Sequence, residues 1–191
     1  MSRLRVLVLA SGSGTLFQAL IDQRESLGID IVGLIADSDV PACERAEAAE
    51  ISVQTVPMIA NRSEWDAQLC EAISSFAPDL IVSAGFMRVI GAQTLAAFEG
   101  RIINTHPALL PEFPGAHAVR DALAAHVAVT GTTVHFVDAG VDTGEIIEQR
   151  EVAVLDSDNE ATLHERIKVV ERELLVETVG KFARGELQVK A

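Results

Sequence analysis

The run from Leu4 to Ala10 is apolar on both alternations of a strand, so both of its faces need cover. A strand of that kind belongs inside a parallel sheet with helices on either side, and the segments that follow supply both parts. Leu16 to Leu27 has helical apolar spacing, Ile29 to Ala36 reads as a second buried strand, and Pro41 opens another helix in an Ala/Glu-rich run. Ser52 to Val56 is a short strand. Ser63 is placed to cap a helix running to about Phe76, with Asp66 three residues on. Pro78 separates that helix from a buried strand at Leu80 to Ala84, and Arg101 to Thr105 makes one more, ending at a polar cluster.

Pro107, Pro111, Pro114 and Gly115 then enforce an irregular loop, followed by a helix over Ala116 to Ala125. Thr132 to Val137 and Ile146 to Val154 alternate like strands with one face partly wet, which suits antiparallel additions. A long helix closes the chain, from Asn159 or Thr162 to Phe182. Leu163, Ile167, Val170, Leu174 and Leu175 lie on one of its faces, and Gly185 stands beyond its end. The expectation is an α/β fold: a mostly parallel central sheet flanked by helices, with antiparallel C-terminal strands. No repeat or linker divides residues 1–191, so one domain is expected.

A chain with 49% hydrophobic residues can bury a substantial core. No window approaches 18 consecutive apolar residues and no signal-peptide pattern opens the chain, so a cytoplasmic address is expected. The formal net charge of -13 argues against a long basic face for nucleic acid or for an anionic membrane. Any anionic ligand must be held locally. Cys43 and Cys70 lie in helical segments outside any CxxC or Cys/His cluster and read as reduced core thiols. His106, His117, His126, His135 and His164 show neither HExxH spacing nor a cysteine partner set, so no metal is expected. No Ser or Cys stands in a nucleophile-elbow context.

Two places can carry chemistry. Ala10-Ser11-Gly12-Ser13-Gly14-Thr15 follows a strand and precedes a helix, so its backbone N–H groups and the helix dipole can cradle an anion. Phe17 stands where a dinucleotide fingerprint needs a third glycine, and there is no Gly-Lys-Ser/Thr, so a phosphomonoester fits better. A tight turn without ligand is the alternative. Both this turn and the next cluster lie at the carboxyl ends of strands, where open parallel sheets bind ligands.

That cluster is Asn104-Thr105-His106-Pro107-Ala108-Leu109-Leu110-Pro111. Strand alternation points Asn104 and His106 the same way, an amide that can stabilise an oxyanion beside an imidazole that can move a proton. Acyl or formyl transfer needs both. Asp142, within Asp138-Ala139-Gly140-Val141-Asp142-Thr143-Gly144, is either a carboxylate that supports the His106 charge or part of an Asp-Thr-Gly turn. The glycines there suit a mobile loop gated by substrate. His135 alternates with Val134 and Phe136 and is expected to point inward. Arg62, Arg88, Arg120 and Lys168 are the cations nearest these loops; Lys168 and Glu171, at i,i+3, read as a surface pair.

Asn104-Thr105-His106-Pro107-Ala108-Leu109-Leu110-Pro111-Glu112-Phe113-Pro114-Gly115, then Thr132-Thr133-Val134-His135-Phe136-Val137 and Val141-Asp142-Thr143-Gly144, resemble the phosphoribosylglycinamide formyltransferases, a folate-dependent family. Ser11-Gly12-Ser13-Gly14-Thr15, Ala84-Gly85-Phe86-Met87-Arg88 and Glu165-Arg166-Ile167-Lys168-Val169-Val170-Glu171 fall in family order, so the match spans nearly the whole chain.

The resemblance implies a Rossmann-like formyltransferase fold, with a phosphate-binding half over about 1–100 and a folate-binding and catalytic half over about 101–191. It implies that the formyl group of 10-formyltetrahydrofolate passes to the amine of N1-(5-phospho-D-ribosyl)glycinamide in purine (IMP) biosynthesis, with no metal and no covalent intermediate. His106 is then the proton donor, Asn104 holds the formyl oxygen, and Asp142 supports His106. The substrate phosphate is expected on Gly14, Thr15 and Leu16, with Lys168, Val169, Val170 and Glu171 bordering the phosphoribosyl part. The folate is expected against Arg62, Met87, Arg88, Val89, Ile90, Asn104, Asp138, Ala139, Gly140, Val141 and Asp142. Leu16 stands where many relatives place Asn, so only its backbone N–H is expected to bind, and Glu112 replaces a position basic in some members and takes no ligand role.

Two other readings share the frame. A formyltetrahydrofolate hydrolase uses the same Asn, His and Asp set with water as acceptor, and usually carries an extra N-terminal domain; here the first strand begins at about Leu4. A non-catalytic Rossmann-like nucleotide-binding module is the third. Neither nucleic acid nor membrane is an expected partner. The run Leu95 to Phe98 is either core or the face of a homodimer.

Overall fold

The computed structural model describes residues 2–189. Its centre is strand β1 (Leu4–Ala10), in which Val6 to Ala10 are wholly buried, because the sheet is covered on both faces. β1 pairs in parallel with β2 (Ile29–Ala36) on one side and β4 (Leu80–Ser83) on the other. β3 (Val53–Thr55) extends the sheet beyond β2, and β5 (Ile102–His106) beyond β4, both in parallel. β6 (Val129–Phe136) and β7 (Ile146–Ala153) complete the order β3-β2-β1-β4-β5-β6-β7 as antiparallel additions. The expected mixed sheet is therefore present.

The helices divide by the face they cover. α1 (Thr15–Leu27), α2 (Pro41–Ala48) and α6 (Glu160–Ala183) bury Leu16, Phe17, Leu20, Ala42, Leu174 and Leu175 with Val6, Val8 and Ala10. α3 (Arg62–Phe76) buries Trp65, Leu69 and Ile73 with Leu7 and Leu9 on the other face. α4 (Ala92–Ala97) packs Leu95 against this core and Phe98 follows it in, while Ala96 and Ala97 between them are exposed. α5 (Ala118–Ala124) packs Val119 with Leu163, Ile167 and Val152. Cys43 and Cys70 are buried and free.

Several boundaries move for local reasons. α3 is capped by the Asn61 side chain, which accepts from Glu64 N–H at 3.2 Å, so Ser63 falls inside the helix and Asp66 is released for another task. β5 includes His106 because its ladder continues opposite Thr133 on β6. α6 starts on Asn159, whose side chain accepts from Thr162 N–H while the Thr162 hydroxyl accepts from Asn159 N–H, both at 3.0 Å. Asn159→Ala is expected to cost about 1 kcal/mol, lowering Tm by roughly 2–4 °C in calorimetry.

Strand order reverses between β1 and β4, which places the topological switch point there, with the carboxyl end of β5 alongside. The loops leaving β1 and β4 are joined. Ser11 N–H donates to the Gly85 carbonyl at 3.1 Å, and Met87 N–H donates to the Ser11 hydroxyl at 2.9 Å.

Candidate active site

β5 and β6 set the centre of the site through their register. Asn104 lies opposite His135 and His106 opposite Thr133, so a strand end on β5 meets a side chain from within β6. The His135 ring is 2% exposed, and its Nδ1 lies 2.8 Å from the Phe136 carbonyl, which places the proton on Nδ1. Its Nε2 lies 3.2 Å from the Asn104 amide nitrogen. An amide nitrogen carries two hydrogens, so Asn104 keeps one for the cleft. His106, 4% exposed, directs Nε2 to the Phe113 carbonyl at 2.8 Å and Nδ1 to Asp142 Oδ2 at 3.3 Å. Asp142 Oδ1 is 3.6 Å from His135 Nε2.

Asp142 thus stands between two imidazoles, and its backbone adopts the left-handed region at φ 54. A non-glycine residue there is uncommon, though Asp and Asn tolerate it best. Gly115 N–H donates to its Oδ2 at 2.8 Å, joining the Pro107–Gly115 loop to the Asp138–Gly144 loop. His135 first, then the Gly115 N–H and the His106 charge, hold the Asp142 carboxyl below its ordinary range against the opposing effect of burial. Gly140 and Gly144 serve close approach in this loop. A Cβ at Gly140 would run into the Thr143 hydroxyl and one at Gly144 into the Phe136 carbonyl. Asp138 also pins it, accepting from Gly140 N–H at 3.0 Å and from the Thr143 hydroxyl at 2.7 Å.

A cleft of about 150 Å³ opens over this centre. It is lined by Arg88, Val89, Ile90, Asn104, Asp138, Gly140, Val141 and Asp142 of the expected folate set, together with Ser83, Phe86, His135 and Val137. Met87, Arg62 and Ala139 are outside the lining. Met87 is 75% exposed and stands with Val89 and Val141 as an apolar rim. The Arg62 guanidinium is 4.7 Å from the Trp65 ring centre, donating to Met58 Sδ at 2.8 Å and the Val89 carbonyl at 2.5 Å. Arg88 Nε donates to the buried Asp37 at 2.5 Å, so its charge is already paired. Arg120 pairs with Asp121.

The turn between β1 and α1 is built on Gly14. Gly14 caps α1 in the left-handed region at φ 70 and makes no side-chain cap, so the first N–H groups of the helix lack intrahelical partners. A Cβ at Gly14 would lie 2.8 Å from the Ala42 Cβ, which is why glycine is needed. Leu16 is buried, leaving only its backbone to the turn. Arg45, unnoticed in the sequence, donates to the Ser13 carbonyl at 2.7 Å and to Gln18 at 3.0 Å. A larger groove, of about 520 Å³ between α1 and α6, reaches Thr15 and Val169 but none of Asn104, His106 and Asp142.

On α6 the expected Lys168–Glu171 surface pair is not made. Lys168 bonds Glu165 at 2.8 Å, and Glu171 is buried at 6% exposure, on the stripe of Ile167 and Leu175. Val169 is half exposed and Val170 packs partly against Leu163 and Ile167. Burial pushes the Glu171 carboxyl up, against the opposing Thr105 hydroxyl and the Lys168 and Arg172 charges. A carboxyl raised by folding makes the native state bind its proton more tightly. Stability is thus fullest below the ordinary carboxyl range and falls as pH rises from there through the raised value. Glu171→Gln is expected to raise Tm at neutral pH and flatten that fall, as read by calorimetry across pH.

Among the described residues, no group of three or more His, Cys, Asp or Glu is placed to hold a metal, and no helix is long and apolar enough to cross a membrane. The formyl transferase family model matches residues 4–179. Phosphoribosylglycinamide formyltransferase of Mycobacterium tuberculosis is 51% identical over 182 residues, 94% of this chain and 85% of that relative. The crystal structure of glycinamide ribonucleotide transformylase 1 from Symbiobacterium toebii superposes with a TM-score of 0.94 at 40% identity, covering 100% of this chain and 92% of the other. A formyltetrahydrofolate deformylase from Pseudomonas syringae shares the fold at TM-score 0.92 but only 25% identity, covering 98% of this chain and 64% of the other. With a match that runs from the first strand into the closing helix and a relative half identical along most of its length, this chain belongs to the formyl transferase family.

Proposed function

We propose that this chain transfers the formyl group of 10-formyltetrahydrofolate to the amine of N1-(5-phospho-D-ribosyl)glycinamide, releasing the N-formyl product and tetrahydrofolate, in de novo purine biosynthesis in the cytoplasm. The observation that carries the reading is the continuous set Asn104, His135, Asp142 and His106, held by 3.2–3.6 Å contacts; the first three residues line one cleft, with His106 behind Asp142. Residues 1–191 act as one formyltransferase domain.

The reaction needs two substrates side by side, which replaces a bimolecular encounter by a positioned one. The substrate amine attacks the formyl carbon, and the carbonyl oxygen gains negative charge. The free Asn104 amide hydrogen donates to that oxygen, and His106 Nε2 joins it on turning from the Phe113 carbonyl. As the carbon–nitrogen bond to the folate breaks, the proton lost by the attacking amine reaches the departing folate nitrogen, with His106 as carrier and Asp142 compensating its charge. The phosphate is held by the Gly14, Thr15 and Leu16 backbone, and the phosphoribosyl part borders Lys168 to Glu171. The folate lies against Met87 to Ile90 and Asp138 to Asp142.

The test mixes protein with 10-formyltetrahydrofolate, with and without phosphoribosylglycinamide, and follows folate absorbance. Change that depends on the acceptor supports transfer. Equal change without it identifies a hydrolase, and none in either mixture identifies a binding module.

A further inference from the structure

The segment Met87 to Ile90 is a loop between β4 and α4, and one face of α3 holds it. Arg62, Trp65 and Asp66 stand at i, i+3 and i+4 and share a side of the helix. Trp65 stacks on Phe86 with ring centres 6.4 Å apart, and Arg62 donates to the Val89 carbonyl. The Asp66 carboxylate takes the residues that follow: Gly91 N–H onto Oδ1 at 3.1 Å, Gln93 N–H onto Oδ2 at 2.9 Å, and the Thr94 hydroxyl onto Oδ1 at 2.6 Å. Asp66 is 5% exposed and makes no ion pair among the described residues. Gly91, the N-cap of α4, offers no side chain, so a carboxylate from another helix satisfies the unpartnered N–H groups. A Cβ at Gly91 would lie 2.4 Å from that carboxylate, although its backbone at φ -86 and ψ 173 suits any residue.

The geometry points to Asp66 as a positioning residue for folate binding: its carboxylate anchors the far end of the loop, so that Val89 and Ile90 line the cleft. Asp66 itself is not in the cleft lining and touches no substrate. The inference rests on Met87 to Ile90 being the folate-contacting segment.

Asp66→Asn puts an NH2 group against donors that now meet a carboxylate oxygen. The KM for 10-formyltetrahydrofolate is expected to rise about tenfold, as the loss of one buried hydrogen bond to a charged group implies. The KM for phosphoribosylglycinamide and the kcat at saturation are expected to stay within about twofold. Gly91→Ala intrudes on the carboxylate without removing it and is expected to shift the folate KM the same way, which keeps the test open if Asp66→Asn does not fold. Hydrogen exchange of the wild type with and without folate reports on the underlying reading. Protection at 87–90 with an unchanged folate KM in the folded variants overturns the role of Asp66, and so do equal rises in both KM values. No folate-dependent protection at 87–90 overturns the reading beneath it and the inference with it.

Discussion

His106→Ala is expected to lower kcat by about 10²–10⁴-fold, the range that a positioned general acid–base group contributes, with a much smaller change in either KM. The imidazole is almost fully enclosed and bridges the Phe113 carbonyl to Asp142, so its removal takes away both the proton carrier and the partner of a part-buried carbonyl. That carbonyl loses a hydrogen bond worth about 1 kcal/mol, and a lower Tm should accompany the lost turnover. Asp142 keeps the Gly115 N–H and His135, so the site otherwise holds its shape. Single-turnover measurements at saturating levels of both substrates separate chemistry from binding. A near-wild-type rate would remove His106 from the mechanism.

Asp142→Asn is expected to lower kcat by about 10²–10³-fold. Asparagine tolerates the left-handed backbone at this position as well as aspartate does and keeps an oxygen for the Gly115 N–H, so the substitution chiefly removes charge. Without the carboxylate, the imidazolium of His106 has no counter-charge as the proton moves. The pH dependence of stability supplies a second readout. Because folding depresses the Asp142 carboxyl, its stabilising contribution is fully present above its ordinary value of 3.8 and is lost as pH falls through the lower folded value. The stability gap between wild type and Asp142→Asn should therefore be widest near neutrality and close on acidification. A gap independent of pH would mean that the carboxylate is not stabilised by its neighbours.

Much of the fold was legible because apolar periodicity is local. The central strands, their helices and the antiparallel additions all follow from short runs of neighbouring residues, with the start of the last helix left between Asn159 and Thr162. What escaped depended on neighbours distant in the chain. Asn104 and His106 could be placed on one side of a strand from alternation, but His135 joins them only through the β5–β6 register, 31 positions on from Asn104. The approach of Asp142 came from family likeness, since local chemistry left it open between a carboxylate beside His106 and a turn. Arg88 and Arg62 looked like free cations because Asp37 and the Val89 carbonyl are not near them in sequence. Glu171 is a different case. It falls four residues after Ile167 and four before Leu175, so its place on the buried stripe could have been read.

The two ends of the sheet bear on how this protein remains dispersed in a crowded solution. β3, at one end, is only three residues long, too short to template a partner strand. β7, at the other, carries Glu148, Arg150 and Glu151, with Glu148 tied to Lys181 and Arg150 to Glu177 on α6. An incoming backbone would meet a row of committed charges there. Neither margin therefore invites strand addition from a second molecule, and a sheet with so apolar an interior is guarded against growing into a fibril at both of its open sides.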